Sequence, residues 1–415
     1  MFKQHITKQL AARKEAGLLR RRLVGDTVEN NLIVIDGKRY INFSSNDYLA
    51  IAQSSNGSSV ALNEQNELAN SGAMASPLVI GRSNIHQQLE QQLLSWVHAP
   101  SHYDCLLFSS GFAANSSVIN TLFNDKNGNA TLFQDRLNHA SLLEGGRQSQ
   151  GLGHCRQYRF KHNDVAHLSQ LLNAKSKTSS PTLVATEGVF SMDGDAPDLQ
   201  SISQISKKHD AWVMVDDAHG IGTLGQGGSG SLAAQNVSLA DIDILVITFG
   251  KAIGSQGAAV IADSHTIDYL VNFSREYIYS THLAPIQAQM TMQNISKIQN
   301  ESWRQEKLQE NISLFRQLML GSKFELMPSH SPIQPVLIGD EVDSLRIADQ
   351  LKKAGIWANA MRYPTVAKGQ ARLRVTLTAG HSKQQITLLA KALNEVKHSK
   401  SQSSNIIDVA TLLRN

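Results

Sequence analysis

Between residues 104 and 262 the chain repeats one pattern: a short apolar run without alternation, then a segment long enough and polar enough on one side to be a helix. The runs are 105–108, 130–133, 182–185, 212–215, 244–247 and 258–261. A strand with one solvated face shows apolar and polar residues in turn, whereas a strand apolar on both faces must be covered on both, which crossover helices accomplish. The pattern therefore predicts an α/β fold with a parallel sheet between two layers of helices. Ahead of it, Ile85, Leu89, Leu93 and Trp96 recur at helical spacing and predict an amphipathic helix over 85–97. A long connecting helix is expected over 302–320.

Beyond residue 320 the pattern changes to strand 333–338, helix 344–353, strands 357–361 and 373–377, and helix 383–396, a compact α+β unit. A chain of 415 residues exceeds the size at which one hydrophobic core stops growing. We therefore expect an N-terminal helix and extension over 1–45, a large domain over 46–290, a small C-terminal domain with its connecting helix over 291–397, and a tail over 398–415. The polar, serine-rich stretches 53–59, 174–180 and 398–404 read as surface loops and part of that tail.

Charge and composition exclude several classes. A net charge of +4, from 39 basic and 35 acidic residues, is too small to argue for nucleic acid. No apolar stretch is long enough to cross a bilayer, and the N-terminus lacks the apolar core of a secretory signal, so a soluble, cytoplasmic protein is expected. The first 22 residues are basic, as in an organelle transit helix, but they contain no serine. Cys105 and Cys155 have no metal-type spacing and read as reduced, structural thiols; no metal site is expected.

Gly225-Gln226-Gly227-Gly228-Ser229-Gly230 matches the glycine string of dinucleotide-binding folds. That motif needs a strand directly before it, a helix opening at it and an acidic residue about 20 positions on. The context is missing, so a nicotinamide oxidoreductase is disfavoured and a flexible loop beside the active site is expected.

Two strand ends carry the chemistry. The run 212–215 leads into Asp216-Asp217-Ala218-His219, and the run 244–247 into Thr248-Phe249-Gly250-Lys251. Open parallel sheets build their sites at these carboxyl ends. A carboxylate opposite a pyridine nitrogen keeps that ring protonated and makes it an electron sink, and a nearby lysine can hold the ring as a Schiff base. Asp216 and Lys251 suit these two roles, which points to pyridoxal 5'-phosphate. A phosphate needs converging donors such as a helix start offers; the turn bearing Gly111 and Phe112, and the hydroxyl of Thr248, could supply them. His139 also follows a strand, where its ring could lie over a cofactor.

Five segments are shared with a known family: 42–49 (Asn-Phe-Ser-Ser-Asn-Asp-Tyr-Leu), 110–115 (Ser-Gly-Phe-Ala-Ala-Asn), 186–195 (Thr-Glu-Gly-Val-Phe-Ser-Met-Asp-Gly-Asp), 215–220 (Val-Asp-Asp-Ala-His-Gly) and 248–251 (Thr-Phe-Gly-Lys). Through them the chain, over about 18–397, resembles the α-oxoamine synthases. The resemblance implies an aspartate-aminotransferase-like fold (pyridoxal-phosphate fold type I), with a mostly parallel seven-stranded sheet and a smaller α+β C-terminal domain. It implies Lys251 as the Schiff-base lysine, Asp216 against the pyridine nitrogen, His139 stacked on the ring, and His219 and Ser191 beside the ring hydroxyl. Gly111, Phe112 and Thr248 would hold the phosphate, with Thr281 reaching across from the partner of a homodimer. Arg374 would hold the amino-acid carboxylate, and Arg20, Asn46 and Thr365 would line the acyl side.

The segments 278–281, 364–366 and 371–374 point to the branch that condenses L-alanine with a pimeloyl thioester, carried by coenzyme A or an acyl carrier protein. On that reading the freed amine of Lys251 removes the α-proton of alanine, the carbanion attacks the thioester and expels its thiol, and the resulting β-keto acid loses carbon dioxide before protonation. The nearest rival is a branch using glycine with an acetyl or succinyl thioester. Two departures stand out: the family's glycine-rich stretch reads Ser71-Gly72-Ala73-Met74-Ala75-Ser76-Pro77-Leu78-Val79-Ile80-Gly81, and its glycine after Tyr-Leu is Ala50.

Overall fold

In the computed structural model, residues 1–20, 22–28, 31–54, 70–124, 128–175 and 180–396 are described. The expected tail, most of the loops at 53–59 and 174–180, and Arg21 lie outside them.

The central sheet has seven strands, in the spatial order Tyr103–Phe108, Ala258–Asp263, Ile244–Thr248, Trp212–Asp216, Thr182–Glu187, Ala130–Asp135, Cys155–Phe160. All run parallel except Ala258–Asp263, which is antiparallel to both neighbours. The expectation of a parallel sheet holds for six strands and fails for that one. Apolar residues on either side of each strand explain the two helical layers. Val213 and Val215 join one core cluster and Met214 the other, as period-two geometry requires. The strand Cys155–Phe160 has no counterpart among the expected apolar runs. It is an edge strand, and the exposure of Arg156 and Arg159 explains its polar composition.

The connecting helix runs from Trp303 to Leu318, and a second long helix, Pro285–Asn300, precedes it unanticipated. Its inward face buries Gln289, Thr291 and Asn294 beside Ile295 and Ile298, so it carries no clear apolar period. The expected strand 357–361 is two strands. Ile356–Trp357 pairs in parallel with Lys38–Asn42, while Asn359–Met361 pairs antiparallel with Ala371–Thr376. The N-terminal segment is thereby joined to the C-terminal part. Thr376 N–H donates to Phe43 O and Ala379 N–H to Tyr48 O, each at 2.8 Å.

The glycine string at 225–230 is a short turn followed by the helix Ser231–Ala234. Trp96 Nε1 donates to Gly227 O, and Gly228, Ser229 and Gly230 are buried. It is a packed turn bonded to the Asp217 carboxylate through Ser231, rather than a loose loop on the cleft. Both cysteines are free and buried. Among the described residues, no helix is long and apolar enough to cross a membrane.

Candidate active site

The carboxyl ends of five strands converge on a cavity of about 310 Å³. Asp216 ends the strand Trp212–Asp216 and stands in register with Glu187 on the neighbouring strand. Thr248 ends the next strand, and Lys251 follows three residues later. Gly111 opens the helix Gly111–Leu122, which Ser110 caps by accepting from Ala113 N–H. His139 caps the helix Ala140–Gly151. The cavity wall thus includes Asn46, Gly111, Phe112 and His139, and also Asp216, His219, Thr248 and Lys251, as anticipated from the sequence. A larger cavity of about 900 Å³ at the opposite end of the sheet, near Trp212 and Lys175, contains none of them.

The buried groups form one hydrogen-bonded chain. Lys251 Nζ lies 2.9 Å from His219 Nε2, and His219 Nδ1 lies 2.7 Å from the Tyr48 hydroxyl, which donates to Asn46 Oδ1 at 3.1 Å. Burial, then the cations Lys251 and Arg374, push the His219 pKa well below the ordinary imidazole value. His219 is therefore neutral; its Nε2 accepts from Lys251 and its Nδ1–H donates to Tyr48. Lys251 itself is pushed down to about 8, because burial outweighs the favourable charges of Asp216 and Glu187. Asp216 is fixed by Asn115 Nδ2 at 2.6 Å and Ala218 N–H at 3.1 Å. Glu187 accepts from the His139 backbone N–H at 2.6 Å, and burial followed by the Asp216 charge raises its pKa well above the usual carboxylate range. His139 lines the cavity and bonds Ser141 Oγ through Nδ1; desolvation lowers its pKa.

The remaining expected residues lie elsewhere. Arg374, on the strand Ala371–Thr376, donates from Nε to Ser191 O at 2.7 Å and from Nη1 to Asn46 Oδ1 at 3.3 Å, so it meets the cavity through Asn46. Ser191 offers Arg374 its carbonyl and is not part of the cavity wall. Thr281 is exposed and outside the cavity formed by this chain. Arg20 and Thr365 are also exposed and outside it. Their segments are tied together, since Arg362 Nη2 donates to Gly17 O at 2.9 Å.

The family model for aminotransferase class I and II matches residues 38–393. This chain belongs to the aminotransferase class I and II family. Within that family, the chain is 46% identical to the 8-amino-7-oxononanoate synthase of Aliivibrio fischeri (strain MJ11) over 88% of its length and 91% of the relative's. It is 42% identical to the synthase of the same name from Vibrio campbellii, over 95% and 98%. Among solved structures, a serine palmitoyltransferase variant from S. paucimobilis with a bound PLP–myriocin aldimine superposes at TM-score 0.82 and 25% identity, over 94% and 96% of the two chains. The 8-amino-7-oxononanoate synthase of Francisella tularensis superposes at 0.71 and 28% identity, over 86% and 97%. These relatives put this aminotransferase-family chain among the α-oxoamine synthases, in pyridoxal-phosphate fold type I.

The cavity fits that cofactor. Thr248 Oγ1 is buried without a partner. A Cβ on Gly111 would lie 2.4 Å from Thr248 Cγ2, so the helix start reaches the strand end only because the residue is glycine. Hydroxyl and helix amides together suit a phosphate. Asp216 faces the cavity, whereas Asp217 is turned away into bonds with Ser231. Glu187, Tyr48 and the specific bond from Asn115 to Asp216 had no role in the sequence reading. All three lie inside the shared motifs, and Glu187 also ends a parallel strand, which was the available signal.

Proposed function

We propose that this chain condenses L-alanine with a pimeloyl thioester, with loss of carbon dioxide, to give 8-amino-7-oxononanoate in biotin biosynthesis. The observation that carries this reading is identity of 42–46% to enzymes of that name across most of both chains. Pyridoxal phosphate, when bound, supplies an electron sink that stabilises negative charge at the α-carbon of the amino acid.

The chain's own groups supply the rest. Asp216, held by Asn115, would pair with the ring nitrogen and keep its proton in place. His139 would cover the ring face. Thr248 Oγ1 and the amides at Gly111 and Phe112 would take the phosphate, while His219 serves the ring-hydroxyl side and Ser191 orients Arg374 through its carbonyl. A lysine with a pKa near 8 has an accessible neutral form, so Lys251 Nζ can accept the α-proton and later return one. His219 holds that amine in position through the neutral tautomer fixed by Tyr48. Arg374 binds the substrate carboxylate, and Arg20, Asn46 and Thr365 line the acyl side. The thioester carrier is coenzyme A or an acyl carrier protein. The working form is a homodimer in which Thr281 serves the partner's site; exposed Met74, Val79, Ile80 and Tyr279 support a covered surface there.

The test is absorbance of the purified holoenzyme, followed by turnover with three substrate pairs. A yellow protein whose band shifts with L-alanine and that turns over only with the pimeloyl thioester supports the proposal. Turnover restricted to glycine with an acetyl thioester, or to serine with a palmitoyl thioester, would move the chain to another branch. Failure to take up the cofactor would refute the whole reading.

A further inference from the structure

Outside the cavity, a compact ion network ties two turns that flank it. His162 follows the edge strand Cys155–Phe160. Its Nδ1 is 3.0 Å from Asp135 Oδ1 and its Nε2 is 2.9 Å from Asp195 Oδ2. Asn163 reinforces the same pair, donating from N–H to Asp135 Oδ2 at 2.9 Å and from Nδ2 to Asp195 Oδ2 at 2.8 Å. With a carboxylate on each ring nitrogen, His162 is an imidazolium with both N–H groups spoken for. His162, Asp193 and Asp195 approach one another closely enough to suggest a metal. Both nitrogens of His162 are already committed, and Asp193 is paired with Arg372, so the cluster is an ion network instead.

The network sits between two parts of the site. Asp135 is fully buried at the end of its strand and starts the turn to His139, with its Oδ1 also accepting from Leu137 N–H at 2.8 Å. Asp195 closes the turn 190–195, where Phe190 N–H donates to Asp195 O at 2.9 Å and Gly194 N–H to Phe190 O at 2.8 Å. The opposite side of that turn meets the strand Ala371–Thr376. Arg372 and Arg374, two residues apart and so on one face, both reach it: Arg372 pairs with Asp193, and Arg374 Nε donates to Ser191 O. Arg372 is thereby neutralised, whereas the bonds of Arg374 go to neutral acceptors, the Ser191 carbonyl and Asn46 Oδ1, which leaves it as the guanidinium of the pair for a substrate carboxylate. Where Arg374 points depends on where the Ser191 carbonyl stands, and that turn is held from the other side by His162.

We propose that His162 is a positioning residue for the amino-acid substrate: by bridging Asp135 and Asp195 it locks the 190–195 turn, whose Ser191 carbonyl aims Arg374. The role needs two opposed donors at a fixed span. The two N–H groups of glutamine or asparagine share one nitrogen, so neither offers donors on opposite sides of a ring. The Asn163 bonds and the Asp193–Arg372 pair survive the loss of His162, so the turn loosens rather than unfolds.

This inference rests on the reading that Arg374 binds the amino-acid carboxylate, and the experiment separates the two. His162→Gln, Asp195→Asn and Arg374→Lys holoenzymes are compared in KM for L-alanine, KM for the thioester, and kcat; Asp195→Asn is isosteric and keeps the fold if His162→Gln does not. Hydrogen exchange over residues 189–196 is followed in the cofactor-free proteins. We expect KM for alanine to rise at least fivefold in His162→Gln and Asp195→Asn, thioester KM to stay within twofold, and exchange at 190–195 to quicken. A merely structural lesion would instead lower kcat and raise both KM values together. Alanine KM within twofold of the parent in both variants, with Arg374→Lys raising it, would overturn the role of His162 alone. An unmoved alanine KM in Arg374→Lys would overturn the carboxylate reading beneath it.

Discussion

Replacing Asn115 with alanine should damage cofactor binding through Asp216, the carboxylate that Asn115 holds at the cavity wall they share. Asn115 is buried in the helix Gly111–Leu122, and its Nδ2 donates to Asp216 Oδ2 at 2.6 Å and to Ser141 Oγ at 2.9 Å. A hydrogen bond to a charged partner contributes roughly 1.5–3 kcal/mol net. At about 1.4 kcal/mol per decade, losing it corresponds to a roughly 10- to 150-fold loss in any property that needs Asp216 ionised and in place. Affinity for pyridoxal phosphate, titrated by absorbance into the cofactor-free protein, is the direct assay, with kcat of the saturated enzyme as the second. Ser116→Ala is the control, since it removes a neighbouring buried hydroxyl that bonds Ser141 O and has no bond to Asp216. A folded Asn115→Ala protein with cofactor affinity and kcat within twofold of the parent would refute the argument that Asn115 fixes the ring-nitrogen partner.

Three further outcomes are expected. Because Lys251 is lowered to about 8, cofactor capture by the apo-protein should speed up about tenfold per pH unit below 8 and level off above it; a rate still climbing toward pH 10, as for an ordinary lysine, would contradict the burial argument. His282 and His381 are buried and lowered to about 3 and about 4, so the folded state refuses protons that the unfolded chain accepts. Their contribution is complete above about pH 6.5 and is lost as pH falls toward those values, so urea unfolding at pH 5 should show a loss of about 2 kcal/mol for each relative to pH 7.5. Gly111→Ala should lower the melting temperature, because its Cβ would stand 2.4 Å from Cγ2 of the buried Thr248 and force the helix start off the strand end, and should cut cofactor affinity at least tenfold through the same contact. Unchanged affinity there would mean that the phosphate lies elsewhere.

The sequence carried the frame of this protein because frame and composition follow from the same physics. Strands covered on both faces must be apolar on both faces, and the six runs between 104 and 262 each became a strand of the central sheet. The edge strand Cys155–Phe160 escaped notice because one side has no neighbour and its polar residues meet water. The helix Pro285–Asn300 escaped because its buried face is polar and hydrogen-bonded. Site residues followed the same division. Asp216, His219 and Lys251 were legible because they sit at strand ends, where neighbouring strands determine their company.

What the sequence by itself determined was therefore local and periodic: which segments become strands, where they end, and which reactive groups stand at those ends. Only the tertiary structure decided the direction of Ala258–Asp263, the splitting of 357–361 between two sheets, and the partners that tune the site. Asn115 lies 101 positions from Asp216, Tyr48 171 from His219, and Arg374 183 from Ser191. Nothing along the chain records such pairings. They arise when a common hydrophobic core draws distant segments together, and the buried polar groups that arrive with them must then satisfy one another.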